Sequence, residues 1–166
     1  CESRTRAVPG EGPLSAPVML VGEAPGEAED AEGRPFVGRA GRFADQMLSQ
    51  IGLTRARVFL TNSVKCRPPQ NRAPRDVELN VCREHWLDRQ IDVIAPRMVV
   101  LLGAAAIRQR FGGALRLSAL HGEVRTHGGR TYFLTYHPAS AMRFPKIGKA
   151  MKGDVELLKT LLQANP

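Results

Sequence analysis

Val18-Met19-Leu20-Val21-Gly22-Glu23-Ala24-Pro25-Gly26 joins a short apolar run to a turn. The run is five residues long with no charge, so both faces of the segment are apolar, as in a strand buried on both sides of a parallel sheet. Gly22 and the Pro25-Gly26 pair stop it. Two more runs of the same kind follow, Val58-Phe59-Leu60-Thr61 and Met98-Val99-Val100-Leu101-Leu102-Gly103. Between them lie helical patterns. Ala40, Phe43, Met47, Leu48 and Ile51 fall on one face of a helix that Gly52 ends, and Arg75 to Ile94 reads as a second helix carrying Leu79, Cys82, Trp86 and Ile91 inward. Ala104 to Phe111 and Lys149 to Gln163 read as further helices. Residues 123–126 and 131–136 read as strands across a Gly128-Gly129 turn. Strand alternating with helix predicts an α/β fold with a parallel sheet covered on both faces, as a single domain over 1–166.

The chain carries 24 Lys and Arg against 16 Asp and Glu, a formal charge of +8. That excess favours a polyanionic partner, nucleic acid before an anionic membrane. No run approaches the roughly 20 apolar residues of a membrane span. Three cysteines exclude a disulfide-dense scaffold and suit a reducing, cytoplasmic setting in which metal binding is open to them. The chain opens on Cys1 without a methionine, and the expectation is that its native N-terminus is truncated.

In open parallel sheets, ligands bind beyond the carboxyl ends of the strands. Three loops rich in polar residues and glycine leave those ends: Glu23–Gly38, Asn62–Pro74 and His137–Pro145. Their motifs are Gly22-Glu23-Ala24-Pro25-Gly26 with Glu27, Glu29 and Asp30 behind it; Gly33-Arg34-Pro35-Phe36-Val37-Gly38-Arg39-Ala40-Gly41; Thr61-Asn62-Ser63-Val64-Lys65-Cys66-Arg67-Pro68-Pro69, continuing Gln70-Asn71-Arg72-Ala73-Pro74; and His137-Pro138-Ala139-Ser140-Ala141-Met142-Arg143. Taken singly, each has a plain reading. Phe36 can plug the core, Asn62 can close an Asx-turn, His137 can be a turn residue, and the acidic cluster can be a solvated loop.

In this order and at these separations, the four motifs resemble family 4 uracil-DNA glycosylases, the thermostable, iron–sulfur-containing type, over nearly the whole chain. The resemblance implies a three-layer α/β/α sandwich around a mainly parallel four-stranded sheet. It also implies a monofunctional hydrolase of base excision repair that removes uracil from DNA, acts as a monomer and carries a 4Fe–4S cluster on four cysteines.

On the same footing, Phe36 is expected to stack on a flipped uracil, and Asn62 to read it. An amide held in one orientation offers a donor and an acceptor that match uracil and mismatch cytosine. His137 is expected to stabilise the charge that grows on uracil O2 as the base leaves. Gly22, Glu23 and Ala24 frame the pocket; Ala24 stands where better-known uracil-DNA glycosylases place an Asp. That leaves Glu29 and Glu23 as candidates for activating water, with Glu29 preferred and Glu23 set near uracil C5 to exclude thymine. The DNA grip is expected from Lys65, Arg67, Arg72, Arg143, Lys146 and Lys149, with Met142 as the wedge that fills the gap left by the flipped base. Cys66 and Cys82 have the family's spacing for two cluster ligands, with Cys1 the remaining thiol. Three thiols can hold an incomplete cluster, or zinc in its place.

Three other readings stay open. A related protein traps uracil-DNA covalently, but it carries Gln after the motif Glu and a basic insertion, where this chain has Ala24 and a short loop before Cys82. A cluster-bearing nucleic-acid-binding module would bind DNA without regard to uracil, and a zinc-bound scaffold protein would be told apart by metal analysis.

Overall fold

The computed structural model describes residues 4–113 and 116–164. Its strands are β1 (Val18–Gly22), β2 (Val58–Asn62), β3 (Met98–Leu102), β4 (Val124–His127) and β5 (Arg130–Thr135). They form one sheet in the order β2-β1-β3-β5-β4. The pairs β1·β2, β1·β3 and β3·β5 are parallel, and β4 closes a hairpin antiparallel to β5. The mainly parallel sheet is thus the expected one, with β4 as a fifth strand on its edge.

The helices are α1 (Glu27–Glu32), α2 (Arg39–Gln50), α3 (Asp76–Cys82), α4 (Asp88–Ile94), α5 (Ala104–Phe111), α6 (Leu117–Leu120), α7 (Pro138–Arg143) and α8 (Pro145–Ala164). Alternate strand residues point to opposite faces, and both sets are apolar. Val18, Leu20, Val58, Leu60, Val100 and Phe133 pack under Met47 and Leu48 of α2 and Met151, Val155 and Leu158 of α8. Met19, Val21, Phe59, Val99, Leu101 and Leu134 pack under Leu87, Ile91, Ile94 and Ile107 from the other side. The result is a three-layer α/β/α sandwich. No helix among the described residues is long and apolar enough to cross a membrane.

Of the residues expected inward in the 75–94 region, Leu79 and Ile91 are buried, Cys82 is half-buried and Trp86 is turned out. Between α3 and α4, residues Arg83–Leu87 form a π-helical turn. Counting from Leu79 at ordinary helical spacing, the inward set is 86, 90 and 93. The extra residue of the turn moves it by one, and Leu87, Ile91 and Ile94 are the buried residues. Trp86, expected inside, is 53% exposed. Two of the three expected loops contain α-helices, and the third, Asn62–Pro74, a 3-10 turn at Pro69–Asn71. α1 lies in Glu23–Gly38, and α7 in His137–Pro145; α8 then begins at Pro145 rather than near Lys149.

Candidate functional site

A pocket of about 550 Å³ opens at the carboxyl ends of β1, β2 and β5. Glu23 and Ala24 leave β1 into it, Asn62 closes β2, and His137 follows β5. Glu29 enters from α1 and Phe36 from the loop before α2. Arg72 and Arg143 line its mouth. Gly41, Asn71 and Ser140 also line it and were not singled out from the sequence. All three lie inside the quoted motifs, and Asn71, at a φ of 54°, also accepts from Arg67 Nε.

Parallel pairing sets Gly22 directly beside Asn62. A methyl group on Gly22 would lie 2.4 Å from Asn62 Oδ1 and 2.8 Å from Phe36 Cζ. Only hydrogen fits between the amide and the ring, so Gly22 sets the distance between them. Asn62 is 3% exposed. Phe36 belongs to the hydrophobic core and lines the pocket as well.

His137 caps the N-terminus of α7, where its Nδ1 accepts the backbone N–H of Ala139 at 3.2 Å. An accepting Nδ1 carries no proton, which leaves the neutral ring with an N–H donor at Nε2. Burial pushes the imidazole down to about 4, against a pull upward from Glu29. The ring is therefore neutral at physiological pH. The folded value lies below the ordinary 6.5, so the unfolded chain takes up the proton first as pH falls. Stability contributed here is complete above pH 6.5, declines as pH drops below it, and levels off near pH 4. Melting temperatures across that window should show the decline in the wild type and lose it in His137→Asn.

Glu29 is held at both oxygens. Oε2 accepts from Gly26 N at 3.1 Å, and Oε1 from Gly38 N at 2.8 Å. The carboxylate ties the turn after β1 to the start of α2, and each oxygen keeps a lone pair free. Glu23 differs: burial raises its carboxyl, with Arg108 pulling the other way.

Lys65 is a correction. Expected to grip DNA, it is 4% exposed. Its ammonium donates to Thr61 Oγ1 (2.6 Å), Asn62 O (2.7 Å) and Gln90 Oε1 (2.8 Å). All three protons are used inside the fold, so none remains for a phosphate, and burial pulls the group down to about 7. Arg67 donates to Asn71 Oδ1, and Arg72 makes a paired bond to the Glu78 carboxylate. Arg143, Lys146 and Lys149 are exposed beside the mouth or on α8, and Met142 on α7 is 41% exposed.

Cys66 and Cys82 border one depression of about 510 Å³ together with Arg67, Arg72 and Arg75. Arg4 Nη1 donates to Cys66 Sγ at 2.7 Å. Sulfur is the donor that iron–sulfur clusters and many zinc sites take. A four-thiolate cluster nevertheless draws only two ligands from the described residues. Among them, no three His, Cys, Asp or Glu residues are placed to hold a metal ion. Cys1 lies outside the described residues.

The family model of the Uracil DNA glycosylase superfamily matches residues 9–160. The Type-4 uracil-DNA glycosylase of Sulfurisphaera tokodaii is 44% identical over 170 residues, covering 95% of this chain and 76% of the relative. That of Saccharolobus solfataricus is 41% identical, covering 98% and 79%. A Type-5 uracil-DNA glycosylase of Pyrobaculum aerophilum is 34% identical, covering 81% and 66%.

Proposed function

The chain belongs to the uracil-DNA glycosylase superfamily, and we propose that it excises uracil from DNA by hydrolysing the N-glycosidic bond, leaving an abasic site for base excision repair. The observation that carries this reading is the convergence of Phe36, Asn62, His137 and two glutamates on one pocket.

A base inside a duplex is out of reach, so the uridine must swing out of the stack into that pocket. Phe36 supplies the flat apolar wall. The Asn62 amide pairs with uracil N3–H and O4, a pattern cytosine reverses. As the C1′–N1 bond lengthens, its electron pair moves onto the base and positive charge grows on the sugar. The Nε2–H of neutral His137 donates to O2, where the negative charge gathers. Glu29 faces the sugar cation and takes a proton from the water whose oxygen bonds to C1′. Glu23 fills the space near C5 and excludes the thymine methyl.

Among the described residues no lysine lines the pocket, and the Lys65 amine is spent on internal bonds. Both support hydrolysis rather than a Schiff base to the sugar. Arg143, Lys146 and Lys149 contact phosphates, and Met142 enters the gap in the stack. Cys66 and Cys82 would be two of the ligands of a 4Fe–4S cluster, and a cluster held there would link the loop after β2 to α3.

The test is alkali cleavage of a labelled oligonucleotide carrying one uracil, beside matched thymine and cytosine strands. Cleavage at uracil alone is expected. DNA binding that ignores uracil, without cleavage, would instead support a binding module. Glu29→Gln should lower kcat by about 10²-fold or more while uracil-DNA binding persists. A wild-type rate in that variant would move the water-activating role to Glu23.

A further inference from the structure

Phe36 lies in the left-handed region, with φ 55°. A bulky side chain is rarely found there, because Cβ crowds the backbone, and such a conformation persists only where its surroundings enforce it. The surroundings are identifiable. Arg55, in the turn before β2, donates through Nη1 to Pro35 O at 3.2 Å and through Nη2 to Phe36 O. The same guanidinium is gripped by Asp45 of α2, Nε to Oδ1 at 2.7 Å and Nη2 to Oδ2 at 3.2 Å. On the other side, a methyl group on Gly41 would lie 1.8 Å from Phe36 O, so α2 approaches the same carbonyl as closely as a backbone can.

We propose that Arg55, oriented by Asp45, is a positioning residue that holds the Phe36 peptide left-handed and so sets the ring plane on which uracil stacks; this rests on the uracil-excision reading above. The Arg55–Asp45 pair is partly exposed, with side chains 29% and 41% accessible. Ion pairs so placed add little to stability. Here the pair's fixed planar fork serves two consecutive carbonyls of the loop that bears the stacking ring. Arg55 touches no reacting atom. It acts on the fraction of molecules whose pocket is ready for the base.

That mode of action predicts a particular kinetic pattern. When only a fraction of the protein is competent, apparent affinity falls by that fraction while saturating substrate recovers the rate. Arg55→Ala should therefore raise both KM for uracil-DNA and the inhibition constant of free uracil about tenfold, with kcat within about twofold of wild type. Arg55→Lys keeps the charge but has three donors on one atom, where Arg55 makes four hydrogen bonds from three nitrogens of a planar fork, and should behave like Arg55→Ala. Asp45→Asn should shift both constants in the same direction by less. These two variants carry the test if Arg55→Ala does not fold.

The deciding measurement is the double-mutant cycle with Phe36→Ala, read as inhibition by uracil. With the ring removed, loss of Arg55 should change nothing further. An equal shift with and without the ring, or a fall in kcat at unchanged KM, overturns the proposal while the uracil reading stands. A wild-type protein that neither cleaves uracil-DNA nor is inhibited by uracil sinks that reading, and this proposal with it.

Discussion

Asn62→Asp is expected to cost the protein its discrimination between uracil and cytosine. The amide sits at the end of β2, 3% exposed, with Lys65 Nζ on its own carbonyl and Gly22 pressed against Oδ1. It cannot turn aside to suit another base. A pocket built on such polar contacts rejects a mismatched partner by about 10⁴-fold, because its buried groups go unpaired. A carboxyl group at this depth is driven toward its neutral form by desolvation. The neutral acid presents an O–H to cytosine N3 and a C=O to the N4 amine, the complement of cytosine rather than uracil. The expected result is a fall of about 10²-fold or more in kcat/KM on uracil and a measurable rate on cytosine, so that the ratio drops below about 10². Paired oligonucleotides differing only at the target base give both numbers. An unchanged ratio would remove Asn62 from the reading role.

His137→Ala should lower kcat by roughly 10²- to 10³-fold, the usual effect of removing one pre-placed donor from a developing anion. Interpretation needs a control, because the side chain also caps α7 through the Ala139 N–H. Loss of a cap lowers stability by about 1 kcal/mol. His137→Asn separates the two roles. It retains an acceptor near the helix N-terminus but is too short to place a donor where Nε2–H lies. Melting temperature should recover in this variant and the rate should not. If the asparagine variant excised uracil near the wild-type rate, His137 would be a cap and nothing more.

The linear pattern of the chain was enough for the layers of the fold. Val18–Gly22, Val58–Asn62 and Met98–Leu102 are mostly apolar and are buried at every position, and such runs have few places to go except a sheet covered twice. Their carboxyl ends then had to carry the site, and Glu23, Glu29, Phe36, Asn62 and His137 do meet in one pocket. Helices without an apolar stripe were not legible. α1 reads Glu-Ala-Glu-Asp-Ala-Glu and forms because Gly26 and Glu29 close its first turn. α7 starts on a His-Pro pair.

The outward turn of Trp86 depends on one inserted residue in a π-turn, which shifts the apolar stripe to Leu87, Ile91 and Ile94 part-way along the segment. The fate of the polar side chains was decided only in three dimensions. Lys65 looked like a phosphate ligand until Gln90, 25 positions away, and Thr61 enclosed it. Arg55 lies in no motif, yet it bonds the backbone of Phe36, 19 positions earlier. Burial of an apolar residue is set largely by its neighbours in sequence, through the period of the element. The partner of a charged or hydrogen-bonding group is set by which distant segments the packed layers bring to it.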